Sequence, residues 1–235
     1  MQLQQYLTYF RSAFGLMLAG LFFTAQAQQA GLLYDPEPPA DSAYVRVIVT
    51  SHEGALDVYV DGRLRIRKLA SGEASEFMVL PAGPHTLALH PAGKPNVQLS
   101  SPLEVIKGRA LTVAFTHLKP NSAPVVFEDK TNSNKLKAVL AVYHLDAKAG
   151  PLDILTADGK TKVFTGLSYG TPASIQVNPI TVALQAVKAD DQSARARASV
   201  AMTQGGTYSV FLLPAEGGKT KAHVALNKIE RYTGK

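Results

Sequence analysis

The chain has 235 residues, of which 46% are hydrophobic and 18% charged, the composition of a globular protein and not of a disordered one. It has no Cys, which excludes disulfides, thiol catalysis and any lipid anchor that needs an N-terminal Cys. The formal net charge of +6 is spread along the chain rather than gathered into one basic block.

Residues 1–11 carry a single positive charge, Arg11. Residues 12–23 (SAFGLMLAGLFF) are apolar, and Ala25 and Ala27 supply an A-x-A pattern. The apolar run falls short of the ~20 residues that cross a bilayer. The expectation is a signal peptide over residues 1–27, cleaved before Gln28, and a mature protein in the periplasm. A buried N-terminal helix and an uncleaved anchor are the alternatives. Export argues against nucleic acid as a partner.

Residues 28–42 (QQAGLLYDPEPPADS) read as an extended N-terminal arm, because Pro36, Pro38 and Pro39 forbid helix. The arm either packs on the domain that follows or docks another protein by strand addition. In the second case Leu33, Tyr34 and Pro36 are its partner-binding residues.

Residues 43–128 read as a first β-sandwich. Residues 43–50 (AYVRVIVT) are rich in β-branched side chains, and 55–61 (ALDVYVD) alternate. Asp61-Gly62 is a hairpin signal leading into 64–69. Further strands follow at 74–80, 85–90, 97–106 and 110–116, separated by Gly and Pro turns, with 125–128 a candidate last strand. Residues 129–135 (DKTNSNK) contain no apolar residue and read as a polar linker. Residues 136–235 read as a second sandwich. Its strands fall at 136–144, 152–156, 162–165, 172–177, 181–187, 196–203 and 207–213, with 221–232 closing the chain. No mature segment sustains a 3.6-residue apolar period.

The two units align by offset. Val45-Arg46-Val47 parallels Val139-Leu140-Ala141, Leu69-Ala70-Ser71-Gly72 parallels Leu167-Ser168-Tyr169-Gly170, and Ala114-Phe115 parallels Val210-Phe211. The fold class is therefore all-β, with two antiparallel (Ig-like) β-sandwich domains in tandem.

Chemistry is sparse. The six histidines, His52, His85, His90, His117, His144 and His223, include no pair at metal-ligand spacing within one segment, so no metal is expected. There is no G-x-S-x-G elbow and no Gly-rich phosphate loop after a strand, so neither a nucleophile nor a cofactor is expected. Asp190-Asp191 and Glu128-Asp129 sit in polar stretches and read as solvated loops. Residues 63–68 (RLRIRK) are the nearest thing to a basic cluster. Strand alternation would put Arg63, Arg65 and Arg67 on one face and Leu64 and Ile66 on the other. That face either discourages edge pairing or meets an acidic partner. Tyr169, in the turn Ser168-Tyr169-Gly170, is the best candidate to stack on a sugar ring.

Three stretches carry a family resemblance. They are AGLLYDP at 30–36, running into YVRV at 44–47, then TADGKT at 156–161, and NPITVAL at 178–184. In their order and spacing the chain resembles the AlgF family of alginate O-acetylation accessory proteins, which has a related member in bacterial cellulose acetylation. The resemblance implies a non-catalytic periplasmic component. It would work beside a membrane-bound O-acyltransferase and periplasmic SGNH-type acetyltransferases, with the polysaccharide itself as a further contact. A carbohydrate-binding module that holds the polymer through Tyr169, and an enzyme acting alone on acetyl esters, are the competing classes.

Overall fold

The computed structural model describes residues 37–50, 52–120 and 122–233. Residues 1–27, expected as a signal peptide, and the arm residues Leu33, Tyr34 and Pro36 lie outside the described residues. Sixteen strands follow one another: β1 Ser42–Val49, β2 Leu56–Val60, β3 Arg63–Leu69, β4 Met78–Pro81, β5 Gly83–Pro91, β6 Leu99–Val105, β7 Ala110–Phe115 and β8 Val125–Asp129, then β9 Ala138–His144, β10 Leu152–Thr156, β11 Lys162–Leu167, β12 Pro172–Val177, β13 Thr181–Lys188, β14 Ala194–Ala201, β15 Thr207–Pro214 and β16 Thr220–Leu226. One 3-10 turn at Glu216–Gly218 is the only helical element among the described residues, and none of those residues forms a helix able to cross a membrane.

Four sheets of four strands result. The first half gives the orders β4-β1-β7-β8 and β3-β2-β5-β6. The second half gives β12-β9-β15-β16 and β11-β10-β13-β14. Adding eight to each strand number of the first half produces the second half, so the repeat seen in the sequence is a repeat of topology. Each sandwich also holds one parallel pairing, β1 with β7 and β9 with β15. A parallel pair needs a long crossover, and here the crossover is the construction of the facing sheet.

The halves share more than a linker. Val45, Val47, Val49, Val113 and Phe115 point into the first sandwich core, against Leu56, Val58, Leu87 and Leu89. Leu140, Val142, Val210 and Leu212 do the same in the second core, against Leu152, Ile154 and Leu184. The intervening residues form a third core drawn from both halves: Ile48, Ala114 and Phe127 with Ala141, Tyr143, Leu145, Phe211 and Leu213. The two inner sheets are thus covered on both faces. That is why β7 and β9 are buried at every position, whereas the outer strand β6 alternates buried and exposed.

A polar cluster sits inside this apolar seam. Arg46, on β1, is 1% exposed. Its Nε donates to Thr112 Oγ1 at 2.7 Å and its Nη1 to Asn227 Oδ1 at 2.7 Å. Its Nη2 donates to Ser209 Oγ at 2.8 Å and to Tyr143 Oη at 3.3 Å. The guanidinium also lies 4.6, 5.0 and 5.5 Å from the ring centres of Phe77, Phe211 and Tyr143. Asp129 supplies the counter-charge at 3.6 Å and accepts from Thr112 and Tyr143. Burial pushes the Asp129 carboxyl up, while Arg46 and the two hydroxyl donors pull it down. Burial and the neighbouring carboxylate raise the Tyr143 phenol, so it keeps the proton that it donates. Asp129, read from the sequence as the first linker residue, is the last residue of β8. Its placement depends on an arginine 83 positions earlier, which no local reading detects.

The repeat also extends to a paired carboxylate. Asp57 accepts from the backbone N–H of Lys68 and Gly93, and Asp153 from Lys162 Nζ and the Gly166 N–H. Lys68 and Gly166 both have positive φ, at the bulges where β3 and β11 lose register with β2 and β10. These hydrogen bonds hold both carboxyls below their ordinary value.

Arg46→Ala strands a buried carboxylate and should lose about 3–5 kcal/mol in chemical denaturation; a loss under about 1 kcal/mol would show that the seam does not depend on this cation. Because Asp57 and Asp153 titrate lower when folded, their stabilisation is present above the unfolded value and is lost as pH falls through the folded one. D57A/D153A should therefore melt lower at neutral pH and show a shallower acid decline than the parent, read by thermal melts across pH.

Candidate functional site

A cleft of about 680 Å³ lies at the rim of the first sandwich. Its chemistry comes from Asp61, Arg63, Arg65, His85 and Tyr232. The β2–β3 turn creates one wall: Asp61 and Gly62 have φ of 50° and 75°, the left-handed pair that a two-residue hairpin turn requires. The turn aims the Asp61 carboxylate at β5, where Oδ1 accepts from the Thr86 N–H at 2.8 Å.

Asp61 Oδ2 also accepts from His85 Nδ1 at 2.6 Å, while His85 Nε2 donates to the Pro81 carbonyl at 2.9 Å. Both partners are acceptors, so both ring nitrogens carry protons. Burial opposes that charge, but the Asp61 and Pro81 hydrogen bonds and the Asp61 charge outweigh it, and the His85 pKa is raised. The Thr86 N–H and the imidazolium in turn lower Asp61. Both His85 nitrogens are thus engaged by acceptors, and the protonated ring has no lone pair free to act as a base.

The other wall is brought from far along the chain. After β16 the backbone returns to the first half. Phe77 N–H donates to the Lys228 carbonyl and Glu230 N–H to the Phe77 carbonyl, a short parallel bridge between Phe77 and Ile229. Glu230 Oε1 accepts from the Val79 N–H at 2.9 Å and pairs with Arg65. This positions Tyr232 at the cleft.

The residues singled out from the sequence separate here. Arg63 is exposed on the cleft. Arg65 lies beside it but is matched by Glu230. Arg67 is exposed, does not line the cleft, and contributes its charge to Asp57. The three arginines do not share one face by simple alternation, because β3 slips register twice against β2. Leu64 opposes Tyr59 and Ile66 opposes Val58, so the two apolar residues point to opposite faces. Tyr169 is 38% exposed and stands at the seam: its hydroxyl is 3.0 Å from Thr116 Oγ1 of the first half and its ring meets His144 edge-on. His85, Glu230 and Tyr232 were not singled out by sequence reasoning as parts of a site. Asp61 was legible only as a turn residue, and nothing local signals the return of the tail.

Elsewhere, His144 is fully buried. Its Nε2 donates to the Gly150 carbonyl and its Nδ1 accepts from the Asp146 N–H. Burial lowers its pKa, so it is a neutral ring with both nitrogens engaged by backbone. Among the described residues no three His, Asp or Glu side chains gather as a metal site. The cleft offers Arg63 as an open donor, a fixed imidazolium and a phenol, an arrangement suited to recognition of polar or acidic groups.

Comparison with known proteins places these observations. A family model described as "Alginate O-acetyl transferase AlgF" matches residues 13–209. The alginate biosynthesis protein AlgF of Pseudomonas putida is 30% identical over 179 residues, covering 76% of this chain and 75% of the relative. That of Pseudomonas aeruginosa is 30% identical over 177 residues, covering 75% of each. The solved C-terminal domain of AlgF from P. aeruginosa overlaps 40% of this chain and 100% of its own length at 24% identity, with a TM-score of 0.33, too low to carry an argument.

The charge state of His85 gives a sign for pH. Its folded pKa is raised, so its stabilisation is complete below the unfolded value near 6.5 and is lost as pH rises through the folded value. The stability difference between the parent and His85→Gln should therefore be largest near pH 6 and shrink above it, measured by urea denaturation. A difference that grows with pH would show that the ring is not charged.

Proposed function

The chain belongs to the AlgF family, and on that premise we propose that it serves alginate O-acetylation as a non-catalytic periplasmic adaptor. In this reading it connects a membrane-bound O-acyltransferase, which supplies acetyl groups, to SGNH-type acetyltransferases that place them on the polymer. Family membership over most of the chain carries the assignment to alginate O-acetylation. The adaptor role is supported by the character of the cleft, where charges are presented or matched and no activated nucleophile stands beside a free base.

The cleft is the proposed docking surface. Arg63 gives it an exposed, always-charged fork suited to a carboxylate of a partner protein. Described backbone enters the cleft at Pro39, immediately after the segment that holds Leu33, Tyr34 and Pro36. Leu33, Tyr34 and Pro36 of the arm are proposed as partner-binding residues on the sequence pattern alone. Export to the periplasm is part of the proposal, and it rests on the sequence of residues 1–27.

Deleting the gene should abolish alginate acetylation while leaving polymer length unchanged, measured as acetyl content and by size-exclusion chromatography. Arg63→Glu should weaken co-purification with an SGNH-type acetyltransferase by about tenfold, since like charge at an interface is repulsive. Acetyl content that survives deletion would sink the reading. So would acetyl-ester turnover by the purified protein alone, because that outcome belongs to an enzyme.

A further inference from the structure

A second cleft, about 470 Å³, opens between β14 and β16, the edge strands of the two sheets of the second sandwich. Arg195, Arg197, Thr220 and Lys221 line it, and its other residues are alanines. Asp and Glu do not contribute to its lining. None of the three cations takes part in an ion pair among the described residues. Asp191 feels the Arg195 charge, but its carboxylate bonds the Ser193 N–H.

Arg195 is the unusual member. In the β13–β14 ladder Ala186 opposes Ala196 and Val187 opposes Ala194, so Arg195 is the extra residue of a bulge. A bulge re-aims the side chain it carries. The Nε of Arg195 is buried and meets no acceptor among the described residues. Charge on edge strands also discourages unwanted pairing, but that role needs exposed cations, not a buried donor without an acceptor. Arg197, two positions on along the same strand, lies roughly 7 Å away. Residues 130–235 hold 14 of the 24 Lys and Arg of the chain but only 7 of its 18 Asp and Glu, so the positive excess belongs to this half.

We propose that this cleft binds the carboxylates of an acidic polysaccharide, a polyuronate, with Arg195 and Arg197 engaging sugar-acid groups. The inference rests on the alginate O-acetylation reading, because it identifies the polymer contact of a protein in that pathway. Guanidinium forks match carboxylate geometry in two parallel hydrogen bonds. A linear polyanion can follow the channel between two edge strands.

The test is calorimetric titration of the purified protein with polymannuronate oligomers, polygalacturonate oligomers and neutral dextran. The parent should bind polymannuronate at low salt and release it at high salt, with no binding of dextran. R195Q/R197Q should weaken binding by about tenfold or more, and Arg197→Gln alone, at an exposed position, should weaken it by a smaller factor. K94Q/K107Q removes two exposed charges from loops of the first half and should leave affinity unchanged. Equal weakening by K94Q/K107Q would mean diffuse attraction and would overturn the proposal. Absence of polyuronate binding by the parent would also overturn it, while loss of acetyl content on gene deletion would still stand. Binding of polygalacturonate alone, sensitive to R195Q/R197Q, would support the cleft and count against the alginate reading.

Discussion

A guanidinium placed between two apolar sheets is tolerable only if its protons find acceptors and its faces find π electrons. Arg46 meets both conditions with groups from both halves of the chain. Thr112 and Asp129 come from the first, Tyr143, Ser209 and Asn227 from the second, and three rings surround the plane. Neither half alone could satisfy this side chain. A buried charge of this kind is weak evidence for raw stability, since well-packed apolar residues often do as well. Its consequence here is positional: the donors draw Thr112 and Asp129 of one sandwich and Tyr143, Ser209 and Asn227 of the other to a single point.

The duplicated topology makes the differences between the halves informative. The sheets correspond strand for strand, and Asp57 and Asp153 hold equivalent bulges. The surroundings do not correspond. The tail after β16 crosses onto β4 and matches Arg65 with Glu230, leaving Arg63 open. In the second half Arg195 and Arg197 of the edge strand β14 line a cleft to which no Asp or Glu contributes. One scaffold, copied, thus carries two surfaces of different character. The first mixes charges and is lined partly by the tail, as suits a protein partner. The second is lined by cations, a threonine and alanines, as suits a polyanion.

The same physics governs two of the histidines. His85 is held as a cation by two acceptors, and His144 as a neutral ring by backbone on both nitrogens. A general base needs a free lone pair near its operating pH. Both rings are spent on structure, one to fix a hairpin and the other to fix the loop after β9.

Local pattern by itself determined the strands, the turns and the duplication. Val, Ile and Thr runs, Asp-Gly hairpins and the offset of Val45 against Val139 are properties of neighbouring residues. It also carried the family likeness and named Arg63. Tertiary structure alone decided the rest. It placed Asp129 in a buried ion pair, moved Arg65 to Glu230, split Leu64 from Ile66 across a bulge and set Tyr169 at the seam. The physical reason is distance along the chain. Strand propensity acts over a few residues, whereas the surroundings of Asp129, Arg65 and Tyr169 are set by partners 53 to 165 positions away, which come together only when the sheets stack; Leu64 and Ile66 part at a bulge that alternation does not signal.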